Sequence, residues 1–486
     1  MIERLFVVMS LCVLSVSSAS ARRALWAPKP LVVHEWGVAR FDWGTGRAKP
    51  AELEPFIYTD KVPDEQLPEP EQRVKDSPGD TGARDKPILY FYTPGNTTVG
   101  VEERFSHGHA TAWWPNVHVY RTPEETARAK PVDLEAWRKE RLRQRMRNPR
   151  KVRVPDDERF ELVWHRLQLT KDKPKGQHLQ GILLPKEHWV RRAREVDSAF
   201  VSNGRELEKF LFYEGRTRER PVLAILPPDH RHPQTCHVVN VGERTVYDVF
   251  AIYRKGKTRW AGYVSRLEPV PERNSLEGPM RHGHAAPQIG ALAIPDVSQA
   301  EVVQGIGPID DEAFRRRTRK RMMAALTEGE HYTPLSGGGL RDPAVPQPPC
   351  RMHQLYEKEA EALLAIWGEE FFAAEGLTLI YRESPEALDE AMPLNIYTDM
   401  WHVVKLSRCG LVLNRNIALD RLKDIRQAVL AAAARKPDQQ DDPLPDLLTT
   451  NRYHALGLAE FIRRQRWHGE GIEAVMERLE NEPARE

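Results

Sequence analysis

Histidine is the residue type in this chain whose spacing could do chemistry. Two His-Gly-His sequences occur, His107-Gly108-His109 and His282-Gly283-His284, with His230-Arg231-His232 between them. On a strand, residues i and i+2 point to the same face, so each pair can offer two imidazoles to one divalent metal. Two pairs, or one pair with a carboxylate, would complete a four-ligand or an open three-ligand site. A glycine between the histidines fits a loop equally well, and the same residues are then ordinary surface histidines. A second candidate is His34-Glu35-Trp36-Gly37, in an apolar run, where a His-Glu pair could act as base or ligand. Residue 38 is Val, so this is not the H-E-x-x-H of zinc proteases, and the bland alternative is a buried charged pair.

Trp113-Trp114 beside Pro115 could form a flat platform on which a sugar stacks, or could simply be core. Arg192-Ala193-Arg194-Glu195-Val196-Asp197 places two carboxylates two residues apart, which suits acid–base work or a structural ion-pair network. Two basic clusters, Arg138 to Arg153 and Phe314-Arg-Arg-Arg-Thr-Arg-Lys-Arg321, could meet an anionic polymer. A formal net charge of +2 and the lack of interleaved aromatics favour solvated helix faces, and no nucleic-acid partner is expected. There is no G-x-S-x-G elbow and no phosphate-binding Gly-Lys-Ser/Thr loop. Cys236 and His237 are neighbours on an apparent strand, so they point apart and make a poor nucleophile–base pair.

The chain opens with Arg4, an apolar run from Leu5 to Val16, and Ala19-Ser20-Ala21. That pattern predicts a signal peptide over residues 1–21 and an exported mature chain from Arg22, periplasmic or extracellular, without a transmembrane segment. Removal of Cys12 would leave Cys236, Cys350 and Cys409. One bridge such as Cys350–Cys409 could form, with the pairing open.

The elements that must position these residues are mostly strands. Residues 31–41 read as a strand interrupted near Gly37, and 87–93 and 97–105 as a hairpin about Pro94-Gly95-Asn96. Residues 60–86 lack large apolar groups and predict a mobile loop. Residues 132–147 read as a basic helix and 159–170 as a strand. Short strands follow at 210–214 and 222–226. Three further strands, 237–241, 245–254 and 259–267, suggest a meander. The Gly/Pro-rich stretch 336–349 predicts a linker between a β-rich domain, 22–335, and a region over 350–486. In that second region one helix face runs from Tyr356 to Phe371, with Gly376 after its end. Strands follow at 377–381 and 403–413. Ser384-Pro385 opens a short helix, Asp420 caps another, and two helices close the chain. The expected class is α+β: mainly β and sandwich-like at the N-terminus, with a smaller α+β, helix-rich C-terminal region.

His34-Glu35-Trp36-Gly37, Pro87-Ile-Leu-Tyr-Phe-Tyr92, Trp114-Pro115, Ala193-Arg194-Glu195-Val196-Asp197 and Lys209-Phe-Leu-Phe-Tyr213 occur in that order. Together they resemble a group of uncharacterised exported bacterial proteins that open with H-E-W-G and carry a P-V-x-Y-F-Y strand. The block Ala362–Phe371, with Leu377–Tyr381 and Ala391-Met392-Pro393-Leu394, is similar as well. The resemblance spans most of the chain in short pieces, and it implies no activity and no catalytic residues. The favoured function is an exported binding or envelope-associated protein, with a polysaccharide or another envelope component as partner. The competing class is a metal-assisted hydrolase using His34, Glu35 and a His-x-His pair. A scaffold with neither feature is the third.

Overall fold

Leu31–Asp42 is a strand whose side chains are buried almost throughout, as befits a run covered on both faces. The computed structural model describes residues 30–42, 56–59, 82–122, 125, 160–181, 183–217, 219–228, 235–272, 292–295, 311–328, 354–398, 404–417, 419–435, 444, 447, 452–467 and 469–481. Residues 1–21 and 60–81, His230, His232, His282, His284, Cys350 and the 132–147 and 336–349 segments therefore lie outside the described residues.

In chain order the strands are β1 (Leu31–Asp42), β2 (Tyr58–Thr59), β3 (Gly82–Tyr92), β4 (Thr97–Glu103), β5 (Gly108–Trp114), β6 (Val119–Tyr120), β7 (Leu162–Thr170), β8 (Phe200–Ser202), β9 (Leu207–Glu208), β10 (Leu211–Thr217), β11 (Leu223–Leu226), β12 (Thr235–Asn240), β13 (Val246–Lys255), β14 (Thr258–Leu267), β15 (Leu292–Pro295), β16 (Gly376–Arg382), β17 (Leu394–Thr398) and β18 (Val404–Ile417). A nine-stranded sheet runs β14-β13-β16-β18-β1-β3-β10-β5-β2. A six-stranded sheet holds β17-β4-β7-β8-β9 with β6 on β7, and a three-stranded sheet holds β11-β12-β15. The protein is thus mainly β, with helices concentrated towards its C-terminus.

β1 lies at the middle of the large sheet. It pairs antiparallel with β3 and parallel with β18, from Leu31↔Val404 to Asp42↔Arg415. The expected interruption at Gly37 is a register shift between Trp36 and Val38, opposite Lys86 and Pro87. Proline cannot donate to the ladder, and a Cβ on Gly37 would lie 3.0 Å from Pro87 Cα, so the bulge and the glycine go together.

One face of the large sheet is covered by helices Trp189–Ala193, Asp311–Glu328 and Glu357–Phe372, with Trp36, Ile88, Phe212 and Ile380 in that core. The opposite face packs on the six-stranded sheet through Val33, Leu89, Phe91, Trp164 and Tyr213. Further along, it packs on the three-stranded sheet through Ala39, Val238, Leu379 and Val412. Helices Leu422–Ala434, Arg452–Arg464 and Gly469–Asn481 share their own core and close the molecule there.

Several expectations are corrected. The stretch 336–349 does not separate two cores, because β16 and β18 lie between β13 and β1 in one sheet. The predicted meander is a hairpin: β13 and β14 pair, but β12 pairs with β11 and β15 in another sheet. Gly82–Lys86, assigned by composition to a loop, begin β3, where Arg84 and Asp85 are buried with ionic partners. Asp420 does not cap; it sits in the 3₁₀ turn Leu419–Arg421 before helix Leu422–Ala434. Cys409 is buried and free, and burial pushes its thiol up to about 11; Cys350, named as a possible partner, lies outside the described residues. Ser384 and Pro385 do open their helix as N-cap and first helical residue.

Gly108 shows what the large sheet demands of sequence. A Cβ there would lie 1.7 Å from the carbonyl oxygen of Arg216, so β5 approaches β10 too closely for any side chain. Gly108→Ala should push the two strands apart and cost about 1–3 kcal/mol, read as a lower urea midpoint. An unchanged midpoint would contradict this strand contact.

Candidate functional site

His34 and Glu35 do not form a pair. Neighbouring strand residues face opposite ways, and here the sheet lies between them. His34 points to the helical face, where its Nδ1 is 2.8 Å from Glu359 Oε2. Glu359 also accepts hydrogen bonds from the Tyr92 hydroxyl, at 2.7 Å, and from the Tyr356 backbone N–H, at 2.7 Å. The His34 ring packs against Tyr356 with centroids 4.4 Å apart. Glu35 points the other way, to Arg408 and the Tyr213 hydroxyl. Arg408 also donates to Asp389 Oδ1 at 2.9 Å and to the Met392 carbonyl at 2.8 Å.

The tryptophans are core rather than platform. Trp113 and Trp114 are 4% and 2% exposed. Trp113 stacks on Tyr120, and the Trp114 indole donates to Glu208 at 3.1 Å. The 192–197 charges are ion pairs: Arg192 with Glu195, Arg194 with Glu208, and Asp197 with Lys358. Among the described residues, no group of three His, Cys, Asp or Glu could hold a metal. His107 lies in the turn before β5 and His109 on β5 opposite Arg216, so the pair does not share one regular strand. His282 and His284 lie outside the described residues.

One place combines open volume with converging charge. A cleft of about 460 Å³ runs between the end of β3, the 219–222 and 243–246 segments and helix Pro385–Ala391. Arg84, from β3, lies at its base and clamps two carboxylates. Its Nε donates to Glu219 Oε2 at 2.9 Å, and a terminal nitrogen donates to Glu383 Oε1 at 2.8 Å. Two further bonds, one to each carboxylate, complete both forks. Burial pushes the Glu219 carboxyl up, but Arg84 outweighs it, with help from the Thr217 hydroxyl and from His107, and the group titrates below its ordinary range. Burial prevails at Glu383, which Arg84 only partly offsets and Glu219 opposes, so that carboxyl is raised. Phe41 and Tyr453, stacked with centroids 4.6 Å apart, line the cleft together with Tyr381. The hydroxyl residues Ser384 and Thr245 line it as well.

Of the expected site residues that lie among the described ones, His107 alone lines this cleft. Arg84, Glu219 and Glu383 were not singled out by the sequence. The one signal was the charged turn Arg218-Glu219-Arg220 between two short strands. Helix Pro385–Ala391 joins the two charged groups: Ala387 and Glu390 line the cleft, while Asp389 holds Arg408.

No protein-family model matches the chain, and no curated protein matches it. A solved structure of the Fcho1 Mu homology domain from Danio rerio, with bound Eps15 peptide, is similar at a TM-score of 0.23 and 8% identity, over 80% of this chain and 95% of that one. A likeness at that level carries no argument about fold or function.

Proposed function

We propose that this chain is an exported binding protein whose cleft receives a saccharide, or a similarly polyhydroxylated part of the cell envelope. The observation that carries it is that Arg84 fixes Glu219 and Glu383 in a cleft whose lining they share with Phe41, Tyr381 and Tyr453. Carboxylates held in place by a buried guanidinium keep lone pairs available to hydroxyl donors, and preorganisation of this kind lowers the ordering cost of binding. Two carboxylates against one guanidinium leave the trio short of positive charge, which disfavours an anionic ligand. The apolar run and Ala19-Ser20-Ala21 support export; no helix among the described residues is long and apolar enough to cross a membrane.

Catalysis has less support. Both carboxylates are engaged by the same guanidinium, and the hydrolase alternative loses its His34–Glu35 pair to opposite sheet faces. The test is calorimetric titration of the chain from Arg22 with neutral β-glucan, chitin and peptidoglycan-type oligosaccharides. At least one class should bind, and Glu219→Gln should weaken it about tenfold, the value of a charge-assisted hydrogen bond. No binding by any class would overturn the proposal. Elemental mass spectrometry of the same sample provides the second arm. Stoichiometric metal that is lost in His107→Ala/His109→Ala would replace this proposal with the hydrolase.

A further inference from the structure

The basic sequence Phe314–Arg321 lies on helix Asp311–Glu328, beside β14 at the edge of the large sheet. Its apolar side is anchored: Phe314, Thr318, Met322 and Leu326 are buried. Arg317 and Arg321, four residues apart, project on the same side and flank a groove of about 310 Å³ between the helix and β14. Arg259 faces them from the strand, and Phe250, Tyr263 and Phe314 form the bottom. No carboxylate lines this groove among the described residues. The nearby acid, Asp311, is already shared by Arg254 and Arg259, each at 2.9 Å, and by Arg315 at 3.1 Å. Arg321 lies 4.5 Å over the Tyr263 ring, and Arg317 has no ion-pair partner among the described residues.

An aromatic bottom rimmed by guanidiniums is complementary to a ring that carries an oxyanion. The ring covers apolar surface, while the planar forks of arginine match carboxylate or sulfate oxygens. The volume is near the lower end for small-ligand sites and suits one or two rings rather than a polymer cross-section. We infer that the groove between helix Asp311–Glu328 and β14 is a second binding site, specific for a small ring bearing a carboxylate or sulfate. This inference is independent of the saccharide cleft, whose charged residues Arg84, Glu219 and Glu383 lie on other segments and set the opposite charge preference.

The test titrates the full chain with digalacturonate, 4-hydroxybenzoate and inorganic sulfate, at two salt concentrations. At least one ring anion should bind about tenfold more tightly than sulfate, and its affinity should fall as salt rises. Arg317→Gln/Arg321→Gln should weaken the ring anion about tenfold. Both arginines are exposed, so the variant should keep its thermal midpoint and its response to neutral oligosaccharides. Binding of digalacturonate alone would identify an acidic sugar, and binding of 4-hydroxybenzoate alone an aromatic acid; each supports the site. Equal affinity for sulfate, absence of binding by both ring anions, or an unaltered double variant would overturn it.

Discussion

Arg408→Met is expected to cost about 3–5 kcal/mol of folding stability, the usual penalty for stranding a buried charge. Arg408 and Glu35 are each 3% exposed at the side chain, and two nitrogens of one face two oxygens of the other. Without the guanidinium, Glu35 keeps the Tyr213 hydroxyl but no cation, and the Glu103 carboxyl nearby, already raised by burial and by Glu161 and Glu35, loses the charge that lowers it. Asp389 and the Met392 carbonyl lose their donor as well. The double replacement Glu35→Leu/Arg408→Met should recover most of the loss, because a buried ion pair and a packed apolar pair differ little in net stability. Urea midpoints for both variants check this. A single variant within about 1 kcal/mol of the parent would mean that water reaches the pair.

His454→Leu should change the pH dependence of stability more than stability itself. His454 is buried in helix Arg452–Arg464, and burial alone lowers its pKa to about 3. Below pH 6.5 the unfolded chain takes up a proton at this residue while the folded chain does not. Stability therefore falls with pH by about 1.4 kcal/mol per unit, from 6.5 down to about 3. Over that window the penalty reaches roughly 5 kcal/mol, and it is absent in the leucine variant. Glu214, raised to about 8 chiefly by burial and by Asp85, contributes with the opposite sign as pH falls from 8 towards 4.5. That contribution is common to both proteins and cancels in the difference between their profiles. Parallel profiles for parent and variant between pH 6.5 and 4 would refute the assignment.

Local patterns in the sequence carried further than long-range ones. The break at Gly37, the strand at 162–170, the helix face from Tyr356 to Phe371 and the Ser384-Pro385 start are all properties of a few adjacent residues. Arg84 was illegible for the opposite reason. Its neighbours Gly82, Asp85 and Lys86 look like loop, and only partners far away in sequence, Glu219 and Glu383, make a buried cation tolerable there. His34 and Glu35 were legible as unusual residues in an apolar strand but not as opposed ones. Which face meets Glu359 and which meets Arg408 depends on what covers each side of the sheet. Trp113 and Trp114 could be read as platform or core, and packing by Tyr120 and Glu208 decides for core.

The parallel pairing of β1 with β18 has a consequence for the order of assembly. Glu35 and its partner Arg408 are 373 residues apart. At ordinary synthesis rates, roughly 20–75 s separate the emergence of one from that of the other. Throughout that interval the strand at the middle of the largest sheet has β3 on one side and nothing on the other. The nascent molecule therefore presents an edge of unpaired backbone N–H and C=O groups until β18 has been made, and the final closure must wait for a contact of very long range. Truncation before residue 404 would leave that edge open permanently, so incomplete chains should aggregate rather than persist as smaller folded proteins.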